Sequence, residues 1–292
     1  MCNNPIVTTI SNGIRQKSIK YPCGNCIGCR IDKLRIWSTR CEYEAKKRQN
    51  SFVTLTIDDL HLKFKENASM ATLDRSELRK FFDRIRVNFK AKYGKTKPYD
   101  VKFFATGEYG GIFGRPHYHI LFFGLDFKLD QDLIKKCWKW GNVKIDPLLQ
   151  GGIRYVVDYF TKEHVNGELA IKMYDTKGIE RPFIMHSQGI GRGLYFENRD
   201  QIKKTGKIKI GSKTFPVPAY YRSLITDYDS EQCYTQTDAQ YHEKKRMLRR
   251  AKANGFEKLE EYEEFLHKNN ERALLEKLRN KGAIIDDRTL NV

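Results

Sequence analysis

Two strand-forming runs joined by a glycine-rich turn limit what this chain can fold into. Val101 to Thr106 is followed by Gly107-Glu108-Tyr109-Gly110-Gly111-Ile112-Phe113-Gly114, and then by Arg115-Pro116-His117-Tyr118-His119-Ile120-Leu121-Phe122-Phe123. The β-branched and aromatic residues of both runs favour extended backbone, and the short turn between them favours an antiparallel hairpin. Side chains two apart on a strand share a face, so His117 and His119 point the same way, about 6–7 Å apart at the backbone. Such a pair can hold one divalent metal, or it can be two polar residues on a solvated face. The hairpin returns Glu108 beside both histidines. Two imidazoles and one carboxylate leave coordination positions open, which metal-ion catalysis requires. These ligands suit Mg2+ or Mn2+ bound to a substrate phosphate, and also Zn2+.

The rest of the chain supplies more sheet and covering helices. Residues 30–49 are expected to be helical, with Ile31, Leu34, Ile36, Trp37, Cys41 and Ala45 on an apolar side. Ser51 to Ile57 reads as a strand. Asp74 with Glu77 forms a capping-box pattern that opens a helix whose apolar face is Leu78, Phe81, Phe82, Ile85 and Phe89. A helix over 130–139, a strand over 142–145 and a helix over 153–164 follow. Residues 187–193 read as a glycine-rich loop, and Ile208 to Ile210 with Thr214 to Val217 as a hairpin. Strands led by hairpins imply an α+β fold: a central antiparallel sheet flanked by helices, with a charged C-terminal helical extension. The expected organisation is a cysteine-rich segment and helix over 1–50, a core over 51–237 and the charged helical region over 238–292.

Charge narrows the class of partner. Across 292 residues the net charge is +18, with a sequence pI near 9.5. That balance points to an anionic partner, and basic residues interleaved with Tyr and Phe suit single-stranded nucleic acid. No apolar run approaches the ~18 residues of a membrane span, so no membrane role is expected. The N-terminus lacks the pattern of a signal peptide. The seven cysteines are an odd number, which argues against a disulfide framework and for a reducing, cytoplasmic setting.

Tyr155-Val156-Val157-Asp158-Tyr159-Phe160-Thr161-Lys162 is a second chemical element. On a continuous helix Tyr155, Tyr159 and Lys162 share one face. That spacing serves two packing tyrosines with a solvated lysine, or an oxygen nucleophile with a cation that favours the phenolate. Cys23, Cys26 and Cys29 have the two-residue spacings of a soft-metal site. An iron–sulfur run would continue with a fourth cysteine and proline, whereas position 33 is Lys33. Structural Zn2+ needs a fourth ligand, and Cys41 is the nearest candidate. Along an unbroken helix, however, Cys41 lies about 18 Å from Cys29. Without a helix break, Cys137 or a histidine would have to close the site; buried free thiols are the alternative. Arg115, Arg154 and Arg192 are candidate DNA contacts. Gly189-Ile190-Gly191-Arg192-Gly193 is either a plain turn or a phosphate-approaching loop.

Thr54-Leu55-Thr56, then His117-Tyr118-His119, then Tyr-x-x-x-Tyr-x-x-Lys occur in an order that resembles the HUH endonucleases of rolling-circle replication. The chain is most similar to the initiation proteins of small single-stranded DNA bacteriophages, the microviruses, in their gokushovirus branch. Pro22-Cys23-x-x-Cys26-x-x-Cys29-Arg30, Gly107-Glu108-Tyr109-Gly110, Gly114-Arg115-Pro116-His117 and Gly189-Ile190-Gly191 carry the likeness over roughly residues 20–225. Asp158 departs from it, standing where a basic residue is expected.

The resemblance implies an endonuclease that nicks single-stranded origin DNA. A metal at His117, His119 and Glu108 would polarise the scissile phosphate. Tyr159 or Tyr155 would attack it, leaving a 5′-phosphotyrosyl link and a 3′-hydroxyl that primes synthesis, with the two tyrosines alternating. Host helicase and polymerase in the bacterial cytoplasm are the implied partners. The competing readings are a non-catalytic zinc-containing nucleic-acid-binding protein, and an HUH transposase or plasmid initiator.

Overall fold

The computed structural model describes residues 2, 5–11, 16–66, 68–94, 97–110, 114–161, 168–205, 207–210, 213–228 and 244–279. The chain forms two compact units, one of residues 37–191 and one of residues 1–36 with 192–292.

In chain order the first elements are β1 (Ile6–Ser11), β2 (Gln16–Tyr21) and α1 (Ile27–Lys47). Strands β1 and β2 pair antiparallel, with Ile6 opposite Tyr21 and Ser11 opposite Gln16. The turn expected around Asn12-Gly13 lies outside the described residues.

The unit of residues 37–191 is built on β3 (Asn50–Thr56), α2 (Arg75–Tyr93), β4 (Lys102–Tyr109), β5 (Pro116–Phe123), α3 (Gln131–Cys137), β6 (Val143–Asp146), α4 (Gln150–Val157), α5 (Glu168–Met173) and β7 (Phe183–His186). The sheet has five strands in the order β6-β3-β5-β4-β7, and every pairing is antiparallel. The histidine strand β5 is central. Its residues Tyr118 to Phe123 are all buried, as a strand covered on both faces requires.

One sheet face packs on α2. Leu78, Phe81, Phe82, Ile85 and Phe89 meet Val53, Leu55, Tyr118, Ile120 and Phe122 in one core cluster. Each such side chain contributes about 1.5–3 kcal/mol by leaving water. On β3 the burial alternates, so Phe52, Thr54 and Thr56 are left half-buried on the opposite face.

The capping box forms by half. Asp74 accepts from the Glu77 amide at 3.0 Å. Glu77 does not reach back; its carboxylate accepts from Lys80 Nζ at 2.8 Å and Trp140 Nε1 at 3.0 Å. The Asp74 amide instead donates to the Tyr118 hydroxyl at 2.9 Å. The start of α2 is thereby tied to the central strand between the two histidines.

The glycine-rich segment after β7 packs on the second half of α1. Buried Glu44 accepts from the Gly191 amide at 2.9 Å, and pairs with Lys102 at 2.8 Å and Arg48 at 2.7 Å. Arg40 Nε donates to Ile190 O at 2.8 Å. Gly191 has φ of 70°, and a Cβ there would sit 2.8 Å from Arg40 Cα, so only glycine fits. The plain-turn alternative describes the neighbourhood of Gly191, whose amide is committed to the protein itself.

The second unit holds β1, β2, the start of α1, α6 (Arg192–Glu197), α7 (Arg199–Thr205), the hairpin β8 (Lys207–Ile210) with β9 (Lys213–Pro216), α8 (Ala219–Tyr228), a helix α9 over 244–253 and α10 (Leu259–Arg279). Among the described residues no helix is long and apolar enough to cross a membrane.

Candidate metal centre and nucleophile

Strand register assembles the triad. Glu108 of β4 stands opposite His117 of β5, and Thr106 opposite His119. On the other side of β5, Thr54 of β3 stands opposite His119. Glu108 Oε1 lies 3.1 Å from His117 Nε2 and 3.0 Å from His119 Nε2. Adjacent corners around an octahedral ion with ~2.1 Å bonds are about 3.0 Å apart, so the three ligand atoms are spaced for one divalent ion.

The hydrogen bonds point the right atoms inward. His117 Nδ1 sits 3.1 Å from the Arg115 carbonyl, which can only accept, so Nδ1 carries the proton of the neutral ring. Its Nε2 lone pair then faces a carboxylate oxygen. Acceptor against acceptor is repulsive, and a shared cation relieves it. His119 Nδ1 is 3.1 Å from Thr54 Oγ1. Its buried Nε2 makes no aligned hydrogen bond despite the nearby Glu108 oxygen. Phe52 stacks on the His119 ring at 5.7 Å and 6°, which fixes its plane. The donor set therefore fits a divalent metal, with the second ring nitrogens anchored as metal-binding histidines require.

Tyr155, on α4, reaches this cluster. Its hydroxyl donates to Glu108 Oε1 at 2.8 Å, and its ring meets the His119 ring edge-on at 5.1 Å. Tyr155 is 51% exposed, so a substrate can approach it. Partial burial, with the Glu108 carboxylate accepting its proton, pushes the phenol up to about 12.

Tyr159 is placed differently. The α-helix ends at Val157 and continues as a 3-10 turn over Asp158–Thr161. The shared helical face expected for Tyr155 and Tyr159 is therefore broken. Tyr159 is 2% exposed, and burial drives its phenol well above the ordinary range. Lys162 lies outside the described residues.

The candidate DNA contacts also separate. Arg115 is held by Asp59 Oδ1 at 2.5 Å and the Ile57 carbonyl at 2.7 Å. Arg154 and Arg192 are exposed. Cys23, Cys26 and Cys29 do come together, but the fourth sulfur beside them is Cys2. The nominated Cys41 is fully buried further along α1, which is continuous over Ile27–Lys47. Cys2 was not foreseen because it is distant in sequence, across the β1–β2 hairpin. The ring supports were readable only in part: Phe52 and Thr54 alternate on β3 and so share a face, but the β3–β5 register is needed to put them on His119.

Comparison with known proteins agrees with this arrangement. A family described as replication-associated protein ORF2 matches residues 50–164, which include β3, the triad and Tyr155. The replication-associated protein ORF2 of Spiroplasma virus 4 is 30% identical over 232 residues, covering 72% of this chain and 69% of that protein. The replication-associated protein ORF4 of Chlamydia phage 1 is 28% identical over 256 residues, covering 80% of this chain and 61% of that protein. The replication-associated protein VP4 of Bdellovibrio phage phiMH2K is 26% identical over 224 residues, covering 70% and 67%. Among solved structures, the N-terminal nuclease domain of the minute virus of mice non-structural protein-1 is a remote likeness, with 14% identity and a TM-score of 0.20 over 68% of this chain and 82% of that one. The chain belongs to the family of replication-associated proteins that includes those of these small bacterial viruses.

Proposed function

We propose that this protein is an HUH-type endonuclease that nicks single-stranded origin DNA of a small bacteriophage, with Tyr155 as the nucleophile. The observation that carries the reading is the 2.8 Å hydrogen bond from the Tyr155 hydroxyl to Glu108 Oε1, which puts an exposed phenol oxygen against the His117–His119 pair.

Glu108, His117 and His119 would hold a divalent metal, Mg2+ or Mn2+ by their oxygen and imidazole character, whose chemistry there is to withdraw charge from a scissile phosphate oxygen. Thr54 and the Arg115 carbonyl keep the two imidazoles in the required tautomers. Tyr155 oxygen attacks phosphorus, the Tyr–O–P bond forms, the P–O3′ bond breaks, and the phenol proton ends on the released 3′-hydroxyl. One phosphodiester replaces another, so the step needs no external energy source. Its reversal by a 3′-hydroxyl rejoins strands at the end of a replication round. Alternation with Tyr159 requires that buried phenol to be uncovered first. The net charge of +18 supplies attraction for the DNA backbone. The reaction takes place in the host bacterial cytoplasm, where host helicase and polymerase extend the freed 3′ end.

Incubation with single-stranded origin oligonucleotides and Mn2+ tests the reading. The protein and its Tyr159→Phe variant are expected to form a covalent DNA adduct that chelator prevents, and Tyr155→Phe to form none. A normal adduct from Tyr155→Phe overturns the assignment.

A further inference from the structure

We infer that Cys2, Cys23, Cys26 and Cys29 form a structural Zn2+ site that staples the N-terminal hairpin to the start of α1. It is separate from the triad and does not depend on the nuclease reading. The four sulfurs lie within 4.8 Å of one another, and Cys26 Sγ is 3.9 Å from Cys2 Sγ. A tetrahedral Zn2+ with ~2.3 Å bonds to sulfur has S···S edges of about 3.8 Å. A disulfide would need about 2.05 Å, and all four cysteines are thiols rather than disulfide partners. A four-iron cluster puts each thiolate on a different iron, which spreads the sulfurs further apart than these.

Backbone and charge suit thiolates. The Cys23 amide donates to Cys2 Sγ at 3.1 Å, and the Cys26 amide to Cys23 Sγ at 3.4 Å. Four thiolates around Zn2+ leave net negative charge. Lys33, the residue that excluded a ferredoxin run, bonds to the Gly24 carbonyl within this loop at 2.9 Å, which places a cation beside the cluster.

The fold explains why a staple is needed. A two-stranded hairpin is marginal alone in water, and Ile6, Val7, Thr8 and Thr9 of β1 are exposed. Cys2 precedes β1, Cys23 follows β2, and Cys29 lies in the first turn of α1. One ion joins both ends of the hairpin to the helix. With all four positions filled by sulfur, no place remains for substrate, so the site is structural.

The test is metal content and Co2+ reconstitution of the full chain. Only sulfur ligands give a strong thiolate-to-cobalt charge-transfer band, so the histidine–carboxylate site is silent in it. The wild type and Cys41→Ser are expected to bind Zn2+ at the cysteines and to show the band after Co2+ exchange. Cys23→Ser and Cys2→Ser are expected to bind at least tenfold more weakly. Cys2→His, which restores a ligand, is expected to recover binding with a weakened band. The inference is overturned if Cys2→Ser binds like wild type, if Cys41→Ser loses the band, if Cys2→His fails to recover binding, or if the native protein carries disulfides or iron instead of zinc.

Discussion

Tyr155 donates its hydroxyl to the same Glu108 oxygen that lies 3.1 Å from His117 Nε2 and 3.0 Å from His119 Nε2. The candidate nucleophile and the ligand set therefore share one atom, and that atom's place depends on the β4–β5 register. A slip of one residue would turn Glu108 to the far face of the sheet and dismantle both functions. The half-formed capping box guards against it, because the Tyr118 hydroxyl anchors the central strand to the start of α2.

Thr54 acts on metal through His119. Thr54→Val keeps a β-branched residue in β3 but removes the oxygen 3.1 Å from His119 Nδ1. Loss of such a supporting bond typically costs 10–100-fold in metal affinity. The Mn2+ concentration for half-maximal adduct formation is expected to rise by about that factor, with stability changed by only about 1 kcal/mol. An unchanged metal titration would show that Thr54 does not orient the ring.

Glu44 holds the segment after β7 to α1. It is 2% exposed and serves Lys102, Arg48 and the Gly191 amide together. Glu44→Ala leaves buried donors without their acceptor, and is expected to cost about 3–5 kcal/mol. Urea unfolding should show a lower midpoint at an unchanged slope. Glu44→Gln, which keeps an acceptor for Gly191, should lose less. A loss under about 1 kcal/mol for Glu44→Ala would contradict the packing role.

Asp74 makes the start of α2 sensitive to acid. Burial alone would raise its carboxyl, but Lys63 and the Glu77 amide outweigh that and hold it at about 2 instead of 3.8. A carboxylate depressed on folding stabilises above its unfolded value, and that stabilisation is lost as pH falls toward the folded one. The window is therefore from about pH 4 down to about 2, and the amount is about 2 kcal/mol. Asp74→Asn retains a capping oxygen without the charge. The difference in stability between wild type and Asp74→Asn should be full at pH 6 and nearly gone at pH 2. A difference that does not change with pH would contradict this.

Much of this site can be read from local pattern. Alternation fixes the shared face of His117 and His119, and the glycine turn returns Glu108, because both are short-range properties of extended chain. The α2 face is equally local: all five of its expected apolar residues are buried. What fails is what depends on distant partners or on where a helix stops. β7 has only four residues and pairs with β4 after a long excursion, so Phe183–His186 carries no strong signal of its own. Tyr159 follows a helical spacing from Tyr155, but the α-helix ends at Val157 and the rule no longer applies. Cys2 joins its partners through tertiary geometry that no spacing within the cysteine run encodes.

The central claim is that Tyr155 joins the DNA. The direct measurement is to form the adduct on single-stranded origin DNA with Mn2+, digest it, and map the nucleotide-bearing peptide by mass spectrometry. The account predicts the modification on Tyr155 in the wild type and in Tyr159→Phe. A nucleotide found on Tyr159 in the wild type, or any adduct that survives in Tyr155→Phe, would contradict it.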